Sequence, residues 1–460
     1  MRFPRRRTAI AAGAAFTALT LTLAGCADAG TEGTGSGSAA AAPTLPAAYL
    51  EAAKTFATGL TTGGAEIGGT VTVIGTLAGT EKERLLSTFA PFEEATGVKI
   101  NYTGTEDYTT VIQAGVDSGN PPDVMTVSSL AMVRHYAEQG ALKDLDTLVG
   151  TSTLTKNFNQ GLVDATTVGG KPYALYMSLD NFMVWYNPQK YDGPTDGTWS
   201  DLSAWTEKKA ASGSSPWCLG LSAGASTGWP GAFMVLNQIV KSAGPDVANG
   251  LATGATKWSD PQVKAAFQTV GDLIQKDGMV YGGASGALST EQGSAGNGMY
   301  TDPQQCSLFE WGTYGAATLI SGNATVKAGE NLDFMPIPAS NPQFANTEAY
   351  TGTVVAAFSD RPEVKAFLQY MASTEEQTLI AATGNYVAPA TGVPADAYPN
   401  DVLRKVSTEM LSKDLTPLPS ATIDTSVRST LYTAFANFVQ DPSTLDAGLK
   451  TIDDAQAALG

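Results

Sequence analysis

Between Thr70 and Gln139 the chain alternates short β-branched runs with amphipathic stretches, and this alternation restricts the fold more than any other feature. TVTVIGT (Thr70 to Thr76) has the composition of a strand. Glu81 to Glu94 has helical spacing, with Leu85, Leu86, Phe89 and Phe92 on one side and charges on the other. Val98 to Tyr102 reads as a second strand and Asp107 to Asp117 as a helix. Asn120-Pro121-Pro122 breaks the chain before a third strand, Asp123 to Val127. A helix from Leu130 to Gln139 then stops at Gly140, a residue suited to a C-terminal cap. Strands and helices in strict alternation predict an α/β fold, a parallel sheet with helices on its faces. In such sheets ligands bind beyond the carboxyl ends of the strands. That geometry selects Thr76, Glu81, Asp107, Tyr108, Ser128 and Ser129 as candidate rim residues. Each alone reads equally as an ordinary loop residue; convergence on one edge carries the assignment.

A second stretch, Lys171 to Pro188, is bounded by Gly169-Gly170 and by Pro188 and is dense in aromatic and branched residues. Tyr173, Tyr176, Phe182, Val184, Trp185 and Tyr186 favour extended structure. One carboxylate, Asp180, interrupts the apolar run, and a buried carboxylate is costly unless paired or hydrogen-bonded. Two readings follow: a core strand whose Asp caps a turn, or a strand crossing between two lobes with Asp180 aimed at a ligand.

At 460 residues the chain exceeds one ordinary domain and suggests two or three lobes. With 43% apolar residues, seven Trp and sixteen each of Tyr and Phe, it has material for a large core, which excludes global disorder. Only 15% of residues are charged, while 49 Gly and 24 Pro indicate many loops. The net charge is −17, and residues 1–25 hold four Arg and no acid, so the remainder carries about −21. Such a body repels nucleic acid and anionic lipid and suits neutral or cationic small molecules.

The N-terminus carries a targeting pattern. Arg2, Arg5, Arg6 and Arg7 precede an apolar, Ala-rich run from Thr8 to Leu23, too short for a comfortable transmembrane helix. It ends in Leu23-Ala24-Gly25-Cys26, which resembles the bacterial lipobox. That resemblance implies cleavage before Cys26, diacylation of its sulfur and a chain held on the outer face of the bacterial cytoplasmic membrane. The arginines leave both general and twin-arginine export open. Residues 26–45 read as a Gly/Ser/Ala tether and residues 46–68 as a short helical lead-in. The other two cysteines, Cys218 and Cys306, are the natural disulfide pair in an exported protein. Closing that loop would contribute about 4 kcal/mol through chain entropy. With no CxxC and His135 as the single histidine, a zinc site of ordinary ligands is not expected.

Farther on, Asp201 to Ser212 and Trp258 to Lys276 read as helices, and the Gly-rich residues 282–298 as loop. Leu332 to Pro338 and Thr351 to Phe358 read as strands, Pro362 to Ala372 as a helix, and the chain from Asp401 as three helical pieces.

Several phrases together resemble the extracellular solute-binding proteins of ABC importers, the branch that binds maltodextrins and α-glucosides. GTVTVIGT with LLSTFAPFEEATGVKINY matches that family's first strand, helix and second strand; GNPPDVMTV matches its third strand and YAEQGALKDLD the turn after it. PWCLGLSAGASTGWPGAF, KWSDPQVKAAF and YTDPQQCSLFEW are most similar to the α-glucoside-binding members. The resemblance implies a two-lobed clamp of the type II periplasmic-binding-protein kind, each lobe a sheet flanked by helices, joined by hinge strands. The first lobe would take residues 69–178 and about 350–388, the second residues 179–349 and about 389–460. It also implies a monomer that binds a sugar and docks on a membrane permease, with no cofactor. Asp180, seven positions before Asn187, stands where maltodextrin binders carry an acidic sugar contact; Trp229 and Trp311 stand where they present aromatics. A pyranose has an apolar face that stacks on indole and a rim of hydroxyls for carboxylates. Asn181, Glu310 and Tyr386 complete the candidate ligand set. Where some members offer an aromatic after the third strand, this chain has Ser128-Ser129.

Two enzyme readings compete. Gly224-Ala225-Ser226-Thr227-Gly228 matches the G-x-S-x-G elbow of serine hydrolases, but that motif needs a histidine later in the chain, and His135 lies upstream. Glu81, Asp107, Asp180 and Glu310 could supply glycosidase carboxylates, but no pair at a defined distance is evident. A binder needs the same acids only as acceptors.

Overall fold

The computed structural model describes residues 44–459 except Thr62 and Glu106. The expected signal segment, Cys26 and most of the tether lie outside the described residues. The strands in chain order are β1 (Thr70–Gly75), β2 (Lys99–Gly104), β3 (Val124–Val127), a two-residue pair β4 (Thr167–Val168) and β5 (Lys171–Pro172), then β6 (Ala174–Tyr186) and β7 (Ser215–Trp217). After them come β8 (Cys306–Gly312), β9 (Asp333–Pro336), β10 (Thr347–Ala357) and β11 (Asp414–Pro417).

The expected alternation is present. β1 runs parallel to β2 and β3, with Gly75 in register with Gly104 and Thr126, so the three strands finish at one edge. Val71 and Val73 point inward, while the Gly79–Thr96 helix lays Leu85, Phe89 and Phe92 on that core. Gly97 ends this helix in a left-handed conformation (φ 71°) that a side chain would strain, and its N–H satisfies the Glu93 carbonyl.

β6 makes the molecule two-lobed. Ala174 to Asn181 pair antiparallel with β10, which pairs in turn with β3 and closes the first sheet. Phe182 to Tyr186 pair instead with β8 and β9, in a second sheet that continues to β7. β6 is buried along its length except at Asp180. The first core collects Val71, Phe89, Phe92, Phe367 and Tyr370; the second collects Trp217, Trp258, Phe267, Phe435 and Phe438. A third cluster, with Tyr176, Trp185, Phe309, Trp311 and Tyr350, lies along the crossing strands. Cys218 and Cys306 are joined, with Cα atoms 5.2 Å apart, and fasten the segment after β7 to the start of β8.

Three sequence expectations change. The Gly-rich stretch forms a helix (Gly283–Ser289) and a 3-10 run (Gln292–Tyr300), because its glycines serve close packing: a Cβ on Gly296 would meet the Phe309 ring at 2.6 Å. The C-terminal region contains a strand, β11, besides its helices. The helix expected from Trp258 starts at Pro261, whose missing N–H suits the first helical position, and Trp258 is buried in the second core. Among the described residues no helix is long and apolar enough to cross a membrane.

Candidate ligand-binding cleft

Asp180 lies at the point where β6 leaves one sheet for the other. Its Oδ1 accepts a 2.6 Å hydrogen bond from the Thr313 hydroxyl, just past the end of β8. Leu179 and Val387 form an antiparallel bridge, which brings Tyr386 beside Asp180. From the first lobe, Glu81 enters in the first turn of the Gly79–Thr96 helix. Arg84, one turn on, donates to the Asn385 amide oxygen at 2.7 Å and so ties that helix to the Tyr386 segment.

Charges in this space act on each other. Burial pushes the Asp180 carboxyl up to about 6, against the Thr313 hydrogen bond, and Glu81 pushes in the same direction as burial. Burial also raises Glu81, with Arg84 opposing. The Tyr314 and Tyr386 hydroxyls are raised by burial and then by the fields of Asp180 and Glu81, so these four groups share one region. Tyr432, pushed up to about 12 by burial, is lowered by Arg428 and raised by Tyr108 from the opposite lobe.

The aromatic wall comes from the second lobe. Trp229 opens the Trp229–Ala243 helix and is half-buried. Its ring centroid lies 5.0 Å from Phe233, 5.1 Å from Trp311 and 6.2 Å from Phe182, two residues past Asp180. Trp311 is 4% exposed and stacked on Phe309 at 5.1 Å, so it backs Trp229 from inside. The part-exposed aromatic from this segment is Tyr314, 5.8 Å from Trp311.

A sequence profile of the bacterial extracellular solute-binding proteins matches residues 78–378, more than half of the chain. The chain belongs to that family. The solute-binding protein is 30% identical to the osmoprotective compounds-binding protein GgtB of Synechocystis sp., over 75% of this chain and 81% of the relative. It is 28% identical to the alpha-glucosides-binding periplasmic protein AglE of Rhizobium meliloti, over 74% and 76%. Its fold is similar to that of a chitin oligosaccharide binding protein, with a TM-score of 0.69, 22% identity and coverage of 84% of this chain and 99% of that one.

The sequence candidates in this solute-binding protein divide into two groups. Thr76, Asp107, Tyr108 and Ser128 follow the aligned ends of β1, β2 and β3 and are at least partly exposed, as is Glu81. Asp180 joins them from the crossing strand and Trp229 from the start of its helix, while Tyr386, beside Asp180, is 9% exposed and packs in the first core. Four others turn inward. Ser129 is 1% exposed, and its hydroxyl accepts the Met132 N–H at 3.3 Å as the cap of the Leu130–Glu138 helix. Trp311 is the backing ring just described. Asn181 is 5% exposed and donates to Glu348 Oε1 at 3.3 Å. Glu310 is 6% exposed on the other face of β8 from Trp311; burial pushes its carboxyl up to about 8, and its Oε1 has no partner among the described residues.

Sequence reasoning missed Tyr314, Thr313, Arg84 and Tyr432. A usable signal existed for Tyr314: Phe309 and Trp311 share a strand face by alternation, so the first aromatic free to leave that face lies beyond Gly312. As for the enzyme readings, Ser226 is exposed in a 3-10 turn, and the His135 ring pairs with Gln139 of its own helix at 3.0 Å.

Because Ser129 acts as a cap, Ser129→Ala is expected to lower stability by about 1 kcal/mol and leave ligand affinity unchanged. Urea denaturation and calorimetry on one preparation check this; lost affinity with unchanged stability would return Ser129 to the ligand set.

Proposed function

We propose that this solute-binding protein captures a neutral sugar outside the cell, an oligosaccharide or an α-glucoside, and delivers it to an ABC permease. The observation that carries the proposal is Asp180, oriented by Thr313 and near Tyr314 and Tyr386, with Trp229 against the ring of Phe182 two residues on. A carboxylate that accepts from two adjacent hydroxyls orients a pyranose, and an indole or phenol ring covers its apolar face. The relative named for alpha-glucosides supports that class of solute. Thr76, Glu81, Asp107, Tyr108 and Ser128 would shape the rim. The lobes would divide at the crossing strands, with residues 69–178 and about 350–388 on one side and residues 179–349 and about 389–460 on the other. Cleavage before Cys26 and its lipidation would hold a monomer on the extracellular face of the cytoplasmic membrane, with residues 26–45 as slack. The cleft holds its sugar and does not cut it.

Titration calorimetry against mono-, di- and trisaccharides, with product analysis of the same samples, tests this. Stoichiometric binding of at least one α-linked sugar without products is the expected result. Release of a shorter sugar would make the protein a glycosidase, and binding of no sugar would end the carbohydrate reading.

A further inference from the structure

A buried ion pair joins the Trp229 helix to β10. Lys241, near the end of the helix that begins with Trp229, is 2% exposed, as is Glu348 at the start of β10. Lys241 Nζ donates to Glu348 Oε2 at 2.8 Å and to the Thr347 carbonyl at 2.6 Å. The other carboxylate oxygen, Glu348 Oε1, accepts from Asn181 Nδ2 at 3.3 Å. The Asn181 main-chain carbonyl accepts the Thr313 N–H at 3.0 Å, and the Thr313 hydroxyl donates to Asp180. Hydrogen bonds joined through the backbones of Asn181 and Thr313 thus link the Trp229 helix, by way of both crossing strands, to the candidate ligand carboxylate.

Stability alone is a poor reason for such a pair. Desolvating two charges costs as much as their attraction returns, and apolar residues of similar volume often do better. What a buried acceptor supplies and apolar packing does not is direction: Glu348 Oε1 fixes the Asn181 side-chain amide at the strand turn that presents Asp180. Thr313 is buried and acts on the site through its hydroxyl, which donates to the carboxylate.

We propose that Glu348 is a positioning residue for the sugar site: its Oε1 holds the Asn181 side chain, and through the Asn181 backbone Thr313, so that Asp180 and Trp229 keep a fixed separation across the crossing strands, while Lys241 neutralises the buried carboxylate. This rests on the reading of the cleft as a sugar site. The test uses paired neutral replacements, which leave no unpaired buried charge. Lys241→Met with Glu348→Leu removes the acceptor for the Asn181 amide and is expected to raise the Kd for the best sugar of the panel at least tenfold. Lys241→Met with Glu348→Gln keeps an acceptor oxygen there and is expected to stay within threefold of the unmodified protein. Thr313→Val, which leaves the ion pair intact, is expected to weaken binding tenfold and serves if the Leu variant fails to fold. Equal affinities in the Leu and Gln variants, or unchanged affinity in Thr313→Val, overturn the proposal and leave the sugar reading standing. An unmodified protein that binds no sugar overturns both.

Discussion

Asp180→Asn is expected to weaken sugar binding about 10- to 100-fold, the range set by about 1.5 to 3 kcal/mol for hydrogen bonds to a charged acceptor. The substitution keeps the shape of the side chain and removes its charge, so the loss reports the carboxylate and not a hole in the strand. Burial pushes the unliganded carboxyl up to about 6, so protonation begins within an accessible pH range. The sign is determined by which form accepts. Above pH 7 Asp180 is ionised and takes hydrogen bonds from sugar hydroxyls; as pH falls through 6 it gains a proton and loses acceptor capacity. The affinity of the unmodified protein should therefore decline from pH 7 to pH 5, while that of Asp180→Asn should stay flat. Calorimetry at three pH values decides the matter, and parallel profiles would remove Asp180 from the site.

Glu310→Gln should have the larger effect on stability. The carboxyl is pushed up to about 8 by burial alone, against an ordinary value of 4.5. A group raised on folding stabilises fully below its unfolded pKa, and that contribution is lost as pH rises to the folded value. The unmodified protein should thus lose stability between pH 4.5 and 8, by about 4 to 5 kcal/mol at most from this one group. Gln cannot ionise, so the variant should match the unmodified protein near pH 4 and exceed it by that margin at pH 9. Glu348 and Glu376 are also raised by burial, so some alkaline sensitivity should remain in the variant. Urea denaturation across this range tests the difference; equal slopes in the two proteins would mean that Glu310 has a partner that keeps it charged.

The first lobe was legible because its signals are local. The Thr/Val alternation of β1 and the Leu85–Phe89–Phe92 face each need only a few neighbouring residues to declare themselves. The parallel register that aligns Gly75, Gly104 and Thr126 then follows from alternation, and with it the rim. Asp180 stands out in the sequence for a related reason, as a carboxylate inside an apolar run, and it is the one residue of β6 that is not buried. β11 was not, since Asp414–Pro417 has no strand pattern of its own and is extended because β10 offers it a partner. The aromatic wall failed similarly. Trp311 and Tyr314 are three residues apart and equally aromatic, and only the packing of Trp311 on Phe309 and Trp229 decides which is spent in the core. Tyr432 meets Tyr108 from a distant part of the chain. No window of sequence contains that meeting.

That β6 serves two sheets has a mechanical consequence. If the lobes swing as rigid bodies, the strand that belongs to both acts as a fulcrum, and Asp180 sits on it. A point near an axis travels little while the far ends of the levers sweep widely. An arriving sugar would therefore meet the same carboxylate whether the jaws stand apart or together. Its first grip would depend on Asp180, and the loops at the jaw tips would decide whether the swing is completed. Those loops could then be rewritten for a new sugar without disturbing where it first takes hold.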